Sequence, residues 1–366
     1  MKILSVFGTR PEAIKMAPVL TELNKYPEIT SIVCVTAQHR EMLDQVLELF
    51  EIKPDYDLSI MQPNQSLAEI TARALTKLDE VLIKENPDWV LVQGDTTTAM
   101  VGALAAFYHQ IKVGHVEAGL RSFDKYQPFP EEINRKIATS ISDLHFAPTE
   151  VSKQNLLREG VNEAIIEVTG NTVIDALLQV AEKPYDWDSS PLSGIPRNKK
   201  IVLVTAHRRE NHGEPLHNIC AALRSLAEQF SDVQIVYPVH LNPNVQKIVR
   251  ATLGDIANVT LLEPLEYLPL VHLMKQSYFV ITDSGGIQEE APGLGKPVLV
   301  LREVTERPEG VTAGTVKLVG TDAAMILREA TNLLMNVAAY QEMSQAVNPY
   351  GDGKASTRIV ARLQLT

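Results

Sequence analysis

The segment from Thr282 to Pro292 contains the residue types that bind phosphate. It follows an apolar run and is predicted to open a helix, so its free backbone N–H groups lie at the positive end of a helix dipole. Gly285 and Gly286 permit a sharp turn with no Cβ in the way, and Ser284 adds a hydroxyl donor. Glu290, just over one turn along the helix, has a carboxylate that can accept hydrogen bonds from a ribose diol. Taken alone, the segment fits a nucleotide-diphosphate site and a simple tight connection equally well.

Two cations follow the first predicted strand. Arg10 lies in the turn directly after this strand, next to Pro11, which suits the first position of a helix. Lys15 lies close to the same helical face, so both side chains are candidates for binding a diphosphate. The glycines here do not form a GxGxxG pattern, which argues against a nicotinamide cofactor. The structural alternative is that Arg10 pairs with a nearby carboxylate.

Three carboxylates at successive strand ends or helix starts are candidates for proton transfer. Asp95 precedes a helix, where N-capping is its commonest role. Glu117 lies one strand–helix unit later, between glycines, and glutamate is not a favoured cap. Glu131 opens a third helix, where the helix dipole and an i,i+4 pair with Arg135 offer a structural explanation. The convergence of all three on one site favours a catalytic function.

The second half of the chain adds a histidine and more arginines at strand ends. His207 follows a strand within the polar run Thr205 to Asn211, where it can donate to a phosphate, transfer a proton, or serve only the structure. Arg307 lies beyond a later strand.

The spacing of apolar runs predicts an α/β fold of two doubly wound, Rossmann-like domains facing a central cleft. Residues 1–170 form the predicted N-terminal domain and residues 171–353 the C-terminal one, which binds the nucleotide. The polar, proline-containing segment from Lys183 to Lys199 is interpreted as a linker. The last helix, about 354–366, either completes the second domain or packs back on the first.

Composition excludes several classes of protein. The chain has 366 residues, more than one core usually supports, and a net charge of −11, which argues against nucleic acid or anionic membrane as partners. Cys34 and Cys220 lie in apolar runs, as expected of buried thiols in a cytoplasmic protein, and no signal peptide or membrane span is predicted. No His/Cys cluster has the spacing of metal ligands, so no metal is predicted. Since the GxGxxG pattern is also missing, no cofactor is predicted.

In order along the chain, these motifs closely resemble those of the non-hydrolysing UDP-N-acetylglucosamine 2-epimerases. The motifs are Gly8 to Glu12, Gln93 to Thr96, His115 to Arg121, Pro130 to Arg135, His207 to Asn211 and Ser284 to Glu290. The resemblance implies a GT-B fold, a homodimer, and reversible conversion of UDP-GlcNAc to UDP-ManNAc for bacterial surface polysaccharides. Carried over by position, the catalytic candidates are Asp95, Glu117, Glu131 and His207. The substrate-binding candidates are Arg10, Lys15, Arg135, His207, Leu265, Leu270, Ser284, Gly285, Gly286, Glu290 and Arg307.

One position departs from the family pattern and the implied chemistry has rivals. Leu265 and Leu270 stand where some relatives have Gln and Phe, so contacts with the uracil there would be apolar or made by the main chain. The implied route is elimination of UDP to a 2-acetamidoglucal, followed by its addition back. The alternatives are a hydrolysing epimerase that releases ManNAc and UDP, a GT-B glycosyltransferase, and a non-catalytic UDP-sugar sensor.

The resemblance also suggests a second, regulatory site for UDP-GlcNAc beside the active site. Polar residues that folding does not require motivate this hypothesis: Gln38, Glu41, Asn64, Gln65, Arg209 and His240. Relatives with this regulation tend to have glutamine where this chain has Glu41, and its carboxylate would repel a diphosphate unless an arginine offsets it. The alternative is that these residues only solvate the mouth of the cleft.

Overall fold

A computed structural model describes residues 1–37, 40–62 and 64–366, with only the backbone described at residues 40 and 41. The chain divides into two compact units, residues 1–176 with 350–366, and residues 177–349. The predicted domain boundaries, 170/171 and 353/354, lie within six residues of the boundaries between these units, 176/177 and 349/350. Helix α7 (Thr172–Ala181) carries the chain from the first unit into the second.

The first unit contains a seven-stranded parallel sheet with the strand order β3-β2-β1-β4-β5-β6-β7. Its strands are β1 (Lys2–Phe7), β2 (Thr30–Val35), β3 (Tyr56–Asp57), β4 (Trp89–Gln93), β5 (Lys112–Val116), β6 (Leu144–Ala147) and β7 (Ile166–Val168). Before α7 its helices are α1 (Arg10–Leu23), α2 (Arg40–Leu49), α3 (Leu67–Glu85), α4 (Thr97–Tyr108), α5 (Glu131–Ile141) and α6 (Glu150–Arg158), with a 3₁₀ turn at Glu163–Ile165.

The second unit contains a six-stranded parallel sheet with the strand order β10-β9-β8-β11-β12-β13. Its strands are β8 (Lys200–Thr205), β9 (Val233–Pro238), β10 (Val259–Leu262), β11 (Ser277–Thr282), β12 (Val298–Val300) and β13 (Val316–Leu318). After a 3₁₀ turn at Arg209–Asn211, its helices are α8 (Glu214–Gln229), α9 (Pro243–Leu253), α10 (Tyr267–Gln276), α11 (Gly285–Gly293), α12 (Pro308–Thr312), α13 (Ala323–Met335) and α14 (Val337–Ser344).

Both sheets are doubly wound, as the sequence predicts. The strand order reverses between β1 and β4 in the first unit and between β8 and β11 in the second. In open parallel sheets, ligands bind beyond the carboxyl ends of the strands at this switch point. The residues that follow these four strands include Arg10, Asp95, His207 and Ser284, so the fold brings candidate residues to the expected edge of each sheet.

The predicted linker is a packed part of the second unit, so that interpretation was wrong. Trp187, Leu192 and Ile195 are buried in the same apolar cluster as Leu203 of β8 and Val280 of β11. Burying three large side chains holds the segment on the sheet, whereas a linker would leave them in water.

The C-terminal helix α15 (Ala355–Gln364) packs against α1 of the first unit. Its first turn has no side-chain cap of its own. The buried carboxylate of Asp175 on α7 accepts hydrogen bonds from Ala355 N at 3.1 Å and Ser356 N at 2.8 Å, which satisfies the free donors of that helix. Of the two predicted alternatives for this helix, the structure therefore has the return to the first unit.

Candidate functional site

In the first unit, a buried glutamate fastens together the turns that follow β1 and β4. Glu12 Oε2 accepts hydrogen bonds from Gly8 N at 3.0 Å and Thr9 N at 2.7 Å, and its Oε1 accepts one from Thr96 Oγ1 at 2.6 Å. Burial raises the pKa of Glu12, although these hydrogen bonds oppose the rise. The carboxylate thus fixes the positions from which Arg10 and Asp95 extend.

Asp95 does not cap the helix that it precedes. The N-cap of α4 is Thr96, whose hydroxyl accepts a hydrogen bond from Ala99 N at 3.1 Å. Asp95 Oδ2 instead accepts two hydrogen bonds from Arg135, at 2.6 Å from Nη2 and 2.9 Å from Nε. The interpretation of Asp95 as an N-cap was therefore wrong. Its carboxylate is partly exposed and forms an ion pair with Arg135.

Glu117 combines a strained backbone with a side chain held by several partners. Its side chain is buried, and its backbone has a φ of 63°, a left-handed conformation that is unfavourable for residues other than glycine. Lys15 Nζ lies 2.6 Å from Oε1, Asn171 Nδ2 donates to the same oxygen at 2.9 Å, and Gln93 Nε2 donates to Oε2. Such strain is typical of functional sites, where the surrounding structure enforces it.

The three partners of Glu117 differ from what the sequence predicts. Lys15, predicted to meet a diphosphate, is the ion-pair partner of Glu117. Gln93 and Asn171 were not predicted as site residues, although Gln93 stands in a quoted motif. Asn171 had no local signal, because the helix that it precedes joins Glu117 only through the fold of the whole unit.

The two glutamates that open α5 have different environments. Glu132 is fully buried, and its carboxylate accepts hydrogen bonds from Ser122 N at 3.0 Å and Phe123 N at 3.2 Å. Arg135 pairs with Glu132 as well as with Asp95, so the predicted Glu131–Arg135 pair was wrong. Glu131 Oε2 is a buried oxygen with no hydrogen-bond partner among the described residues. A buried carboxylate oxygen without a donor costs free energy, so its presence indicates a function other than folding.

A buried histidine supports the loop that carries Asp95. His115 Nε2 lies 2.7 Å from the carbonyl oxygen of Gly94, and the ring is completely buried. Burial lowers the pKa of His115 to about 4, so the ring is neutral near pH 7. His115 therefore holds the backbone of the loop that carries Asp95.

In the second unit, Asp283 and His207 form a pair at the switch point. Asp283 is fully buried, and its Oδ2 accepts hydrogen bonds from His207 N at 2.8 Å, Arg208 N at 2.9 Å and Asn211 Nδ2 at 2.9 Å. Its Oδ1 lies 3.2 Å from Nδ1 of the half-exposed His207 ring. Although burial alone would raise the pKa of Asp283, contacts with His207 and backbone N–H groups lower it, so the group is a carboxylate. Asp283 was not among the predicted site residues.

The residues predicted to bind an anion lie at the start of α11. Ser284 is the N-cap of this helix, but its hydroxyl makes no capping hydrogen bond. A Cβ on Gly285 would lie 2.9 Å from Arg307 Nη1, so the guanidinium of Arg307 lies over this glycine. Arg307 is itself oriented by an ion pair with Glu289. The helix start, the serine and the arginine together form a suitable seat for an anion.

The residues predicted to hold the nucleoside are also in the second unit. Glu290 is buried, and its Oε1 accepts a hydrogen bond from Tyr267 OH at 2.7 Å. Leu265 and Leu270 are partly buried and pack against the apolar cluster that contains Leu273 and Ile287. They therefore offer apolar surface beside α10 and α11.

The residues of the predicted regulatory site are distributed over both units. Gln38 and the side chain of Glu41 lie outside the described residues. In the first unit Asn64 has a φ of 58°, and Gln65 Oε1 accepts a hydrogen bond from Arg73 at 3.0 Å. In the second unit Arg209 begins the 3₁₀ turn, and the His240 ring stacks on His207 with centroids 5.8 Å apart.

Within residues 1–37, 40–62 and 64–366, no group of three or more His, Cys, Asp or Glu residues is arranged to hold a metal ion. In the same part of the chain, no helix has the length and hydropathy needed to cross a membrane.

Comparisons with known proteins agree closely with one another. The model of the family described as UDP-N-acetylglucosamine 2-epimerase matches residues 21–364. The UDP-N-acetylglucosamine 2-epimerase of Bacillus subtilis is 58% identical over 363 residues, covering 99% of this chain and 95% of the relative. The enzyme of Escherichia coli K12 is 58% identical over 370 residues, with 100% and 98% coverage. The crystal structure of UDP-GlcNAc 2-epimerase from Neisseria meningitidis bound to UDP-GlcNAc is similar, with a TM-score of 0.88, 55% identity and full coverage of both chains.

Proposed function

Because the chain belongs to the UDP-N-acetylglucosamine 2-epimerase family, we propose that it inverts C2 of UDP-GlcNAc reversibly by eliminating UDP and adding it back. The C2 proton of the sugar is not adjacent to a carbonyl, so its direct removal is prohibitive. Cleavage of the C1–O bond builds positive charge on the sugar and makes that proton removable. The product, UDP-ManNAc, would supply bacterial surface polysaccharide synthesis in the cytoplasm, as the family resemblance implies.

The steps balance without an external reactant. A base takes the proton from C2, the C–H electrons form the C1=C2 double bond, and UDP departs with the C1–O electrons. The intermediate is a 2-acetamidoglucal. In the second half, a proton is added to the opposite face of C2 and the diphosphate oxygen attacks C1. Carboxylates suit both proton transfers and stabilise the oxocarbenium-like transition state.

The observation that carries this proposal is the environment of Glu117. Its backbone has a strained conformation, and its carboxylate is held by Lys15, Gln93 and Asn171. A purely structural residue does not need this arrangement. Asp95 and the unpartnered Oε2 of Glu131 belong to the same unit. We assign proton transfer to these three carboxylates without dividing the two steps among them.

The second unit is proposed to hold the departing UDP. Ser284, Gly285 and Gly286 present the start of α11 to the diphosphate, and Arg307 adds a cation. His207 donates a hydrogen bond or a proton to the leaving oxygen. Glu290 is proposed to accept hydrogen bonds from the ribose, and Leu265 and Leu270 to contact the base.

Product analysis tests the proposed function. The protein is incubated with UDP-GlcNAc, and the mixture is followed by ³¹P and ¹H NMR. We expect UDP-ManNAc to appear while the summed concentration of UDP-GlcNAc and UDP-ManNAc stays constant. Free ManNAc with equimolar UDP would instead identify a hydrolysing enzyme, and binding of UDP-GlcNAc without any turnover would identify a sensor.

We also propose that the chain forms a homodimer through helices α3, α4 and α5. The C-terminal end of α4 exposes Phe107 and Tyr108, at 55% and 63% of their full accessible surface, and α3 exposes Ile83 at 66%. α4 packs against both α3 and α5, and α5 exposes Ile133 and Ile137. Apolar residues grouped in this way indicate an interface. Light scattering at micromolar concentration should give the mass of two chains, and Phe107→Lys should give the mass of one.

A regulatory site for UDP-GlcNAc remains a proposal. It is supported by the stacking of His240 on His207, which would connect a second ligand with the catalytic histidine inside one unit. UDP-ManNAc alone should then turn over poorly until a trace of UDP-GlcNAc is added. Gln38→Ala or Arg209→Ala should abolish this activation without loss of UDP binding. A rapid reverse reaction with no lag and no added UDP-GlcNAc would refute the site.

A further inference from the structure

The amide of Asn171 makes two hydrogen bonds with different neighbours. Its Oδ1 accepts one from Val173 N at 3.1 Å, at the start of α7. Its Nδ2 donates the other to Glu117 Oε1 at 2.9 Å. The first bond caps a helix, and serine or aspartate would make it as well as asparagine does. The second bond needs a donor on a separate atom, which of these three residues only asparagine carries.

The backbone of Asn171 is fixed by the segment in which the chain returns to the first unit. Asn171 N donates to Tyr350 O at 2.6 Å, and a Cβ on Gly351 would lie 3.5 Å from the same nitrogen. Both Asn171 and Tyr350 are buried. The side-chain amide therefore extends toward Glu117 from a backbone that has little freedom to move.

The same oxygen of Glu117 also contacts a cation. Lys15 Nζ lies 2.6 Å from Oε1, and the side chains of Lys15 and Glu117 are 18% and 6% exposed. A buried charge is tolerated when it is both paired and hydrogen-bonded. Asn171 supplies a hydrogen bond to the carboxylate without adding a charge, so the ion pair with Lys15 stays balanced. A carboxylate in place of this amide would face Glu117 Oε1 as a like charge.

We propose that Asn171 is a positioning residue for the epimerase reaction: its neutral amide fixes the carboxylate of Glu117 for proton transfer. The inference rests on the proposed function. Asn171 follows β7, whereas Glu117 follows β5, two strands away in the sheet, so the hydrogen bond joins the proton-transfer group to a separate part of the unit. Asn171 acts through Glu117 and contacts no substrate in this account.

The variant Asn171→Ser separates the two hydrogen bonds of the amide. The serine hydroxyl can still cap α7, but the shorter side chain loses the donor to Glu117. We expect kcat to fall by about tenfold or more, because a hydrogen bond to a charged group is lost, while the Kd for UDP changes by less than about threefold. Turnover of UDP-GlcNAc and calorimetric binding of UDP give the two values. Asn162→Ser is the matched control, because Asn162 Oδ1 accepts a hydrogen bond from Ala164 N at 3.0 Å on the exposed surface. Both values should stay unchanged in this control.

The variant Asn171→Asp tests whether the neutral charge of the amide matters. It keeps an acceptor for Val173 N and places a carboxylate oxygen against Glu117 Oε1. Repulsion between the two carboxylates should lower kcat further than serine does and should also lower the urea midpoint of unfolding. In a Glu117→Gln background, the new glutamine amide can donate to the new carboxylate. The same substitution should there lower the midpoint by less than about half as much, and kcat by less than about threefold further, because Asn171 acts through Glu117.

Specific outcomes overturn the proposal. Near wild-type kcat in Asn171→Ser would contradict it, and this variant decides the matter even if Asn171→Asp does not fold. Effects of Asn171→Asp that are the same in both backgrounds would contradict it too. A parallel loss of UDP affinity and kcat would show a structural role instead. Failure of the proposed function is distinguishable, because wild-type protein would then not epimerise UDP-GlcNAc at all, whereas the midpoints of unfolding report the contact between the two side chains regardless of activity.

Discussion

The ends of the parallel strands carry different residue types in the two units. In the first unit, side-chain carboxylates follow β4 and β5 and open α5. Those of Asp95 and Glu117 are paired with cations, and Oε2 of Glu131 has no hydrogen-bond partner among the described residues. In the second unit, the residues after β11 offer backbone N–H groups and a hydroxyl, with Arg307 nearby. Under the proposed function, the same sheet topology positions the groups for proton transfer in one unit and those for anion binding in the other.

Acidic residues follow strands in both units, but their surroundings differ. Glu117 is held in a strained conformation by a lysine and two amides. Asp283 is buried, and its Oδ2 accepts hydrogen bonds from two backbone N–H groups and from Asn211. The difference teaches that the chemistry of a strand-end carboxylate depends on its donors rather than on its place in the fold.

The largest expected effect comes from Glu117→Gln. The amide keeps the shape of the side chain but cannot accept a proton, so kcat should fall by about 100-fold or more, while the Kd for UDP changes by less than about threefold. Turnover and calorimetric UDP binding check both values. Glu163→Gln, which alters an exposed carboxylate paired with Lys153, is the control. If UDP binding fell in step with kcat, the assignment of Glu117 to proton transfer would be wrong.

The neighbours Asp95 and Thr96 should separate catalysis from stability. Asp95→Asn is expected to lower kcat by about 100-fold with little change in the free energy of unfolding. Thr96→Ala removes the N-cap of α4 and should cost about 1–2 kcal/mol of stability. Chemical denaturation and steady-state kinetics on both variants give the comparison. Equal loss of stability in the two variants would return Asp95 to a structural role.

The anion seat should respond to a single methyl group. In Gly285→Ala the new Cβ would lie 2.9 Å from Arg307 Nη1, so the guanidinium must move from its place. Loss of one charge-assisted hydrogen bond is expected to weaken UDP binding by about tenfold. In an Arg307→Ala background the same substitution should have little further effect on the measured Kd. Full additivity would mean that Gly285 acts on UDP directly.

The last prediction concerns the pH dependence of stability in the first unit. Burial lowers the pKa of His115 to about 4 and that of His145 to about 3. Both groups are neutral when folded but take up protons in the unfolded chain below its pKa of about 6.5. Stability should therefore be fully present above pH 6.5 and decline as the pH falls toward 4, by about 1.4 kcal/mol per pH unit for each histidine.

The variant His145→Leu tests this slope. Both ring nitrogens of His145 are buried without hydrogen-bond partners in the part of the chain that the structure describes. Leucine removes them at similar volume, so the variant should unfold with a shallower dependence on pH between 6 and 4.5. Urea denaturation at several pH values gives the slopes, and identical slopes in the two proteins would contradict the assignment.

Much of the fold could be predicted from apolar runs, because buried parallel strands are nearly continuous in apolar residues. The apolar runs Trp89 to Gln93, Val233 to Pro238 and Val259 to Leu262 coincide with strands β4, β9 and β10. Helix α3 was not predicted, although its buried residues Ile70, Ala74 and Leu78 recur at helical spacing. The segment after Lys183 was misassigned because its turn-forming residues obscured three well-separated apolar anchors.

The site was less predictable than the fold, because its decisive contacts join distant parts of the chain. Motifs identify Glu117 and His207 as candidates, but the partners Asn171 and Asp283 lie 54 and 76 residues away. N-capping was predicted for Asp95 because it is the commonest role of an aspartate before a helix, whereas the adjacent Thr96 is the N-cap. Local spacing likewise predicted an ion pair between Glu131 and Arg135. In the structure, Arg135 instead pairs with Asp95 and Glu132.

The central claim, elimination of UDP followed by its addition back, is tested most directly by the fate of the C2 hydrogen. UDP-GlcNAc is incubated with the protein in deuterated water, and the products are examined by ¹H NMR and mass spectrometry. The account predicts that UDP-ManNAc carries deuterium at C2 and that the recovered UDP-GlcNAc gains deuterium at C2 as equilibrium is approached. Epimerisation with the original hydrogen fully retained at C2 would contradict it.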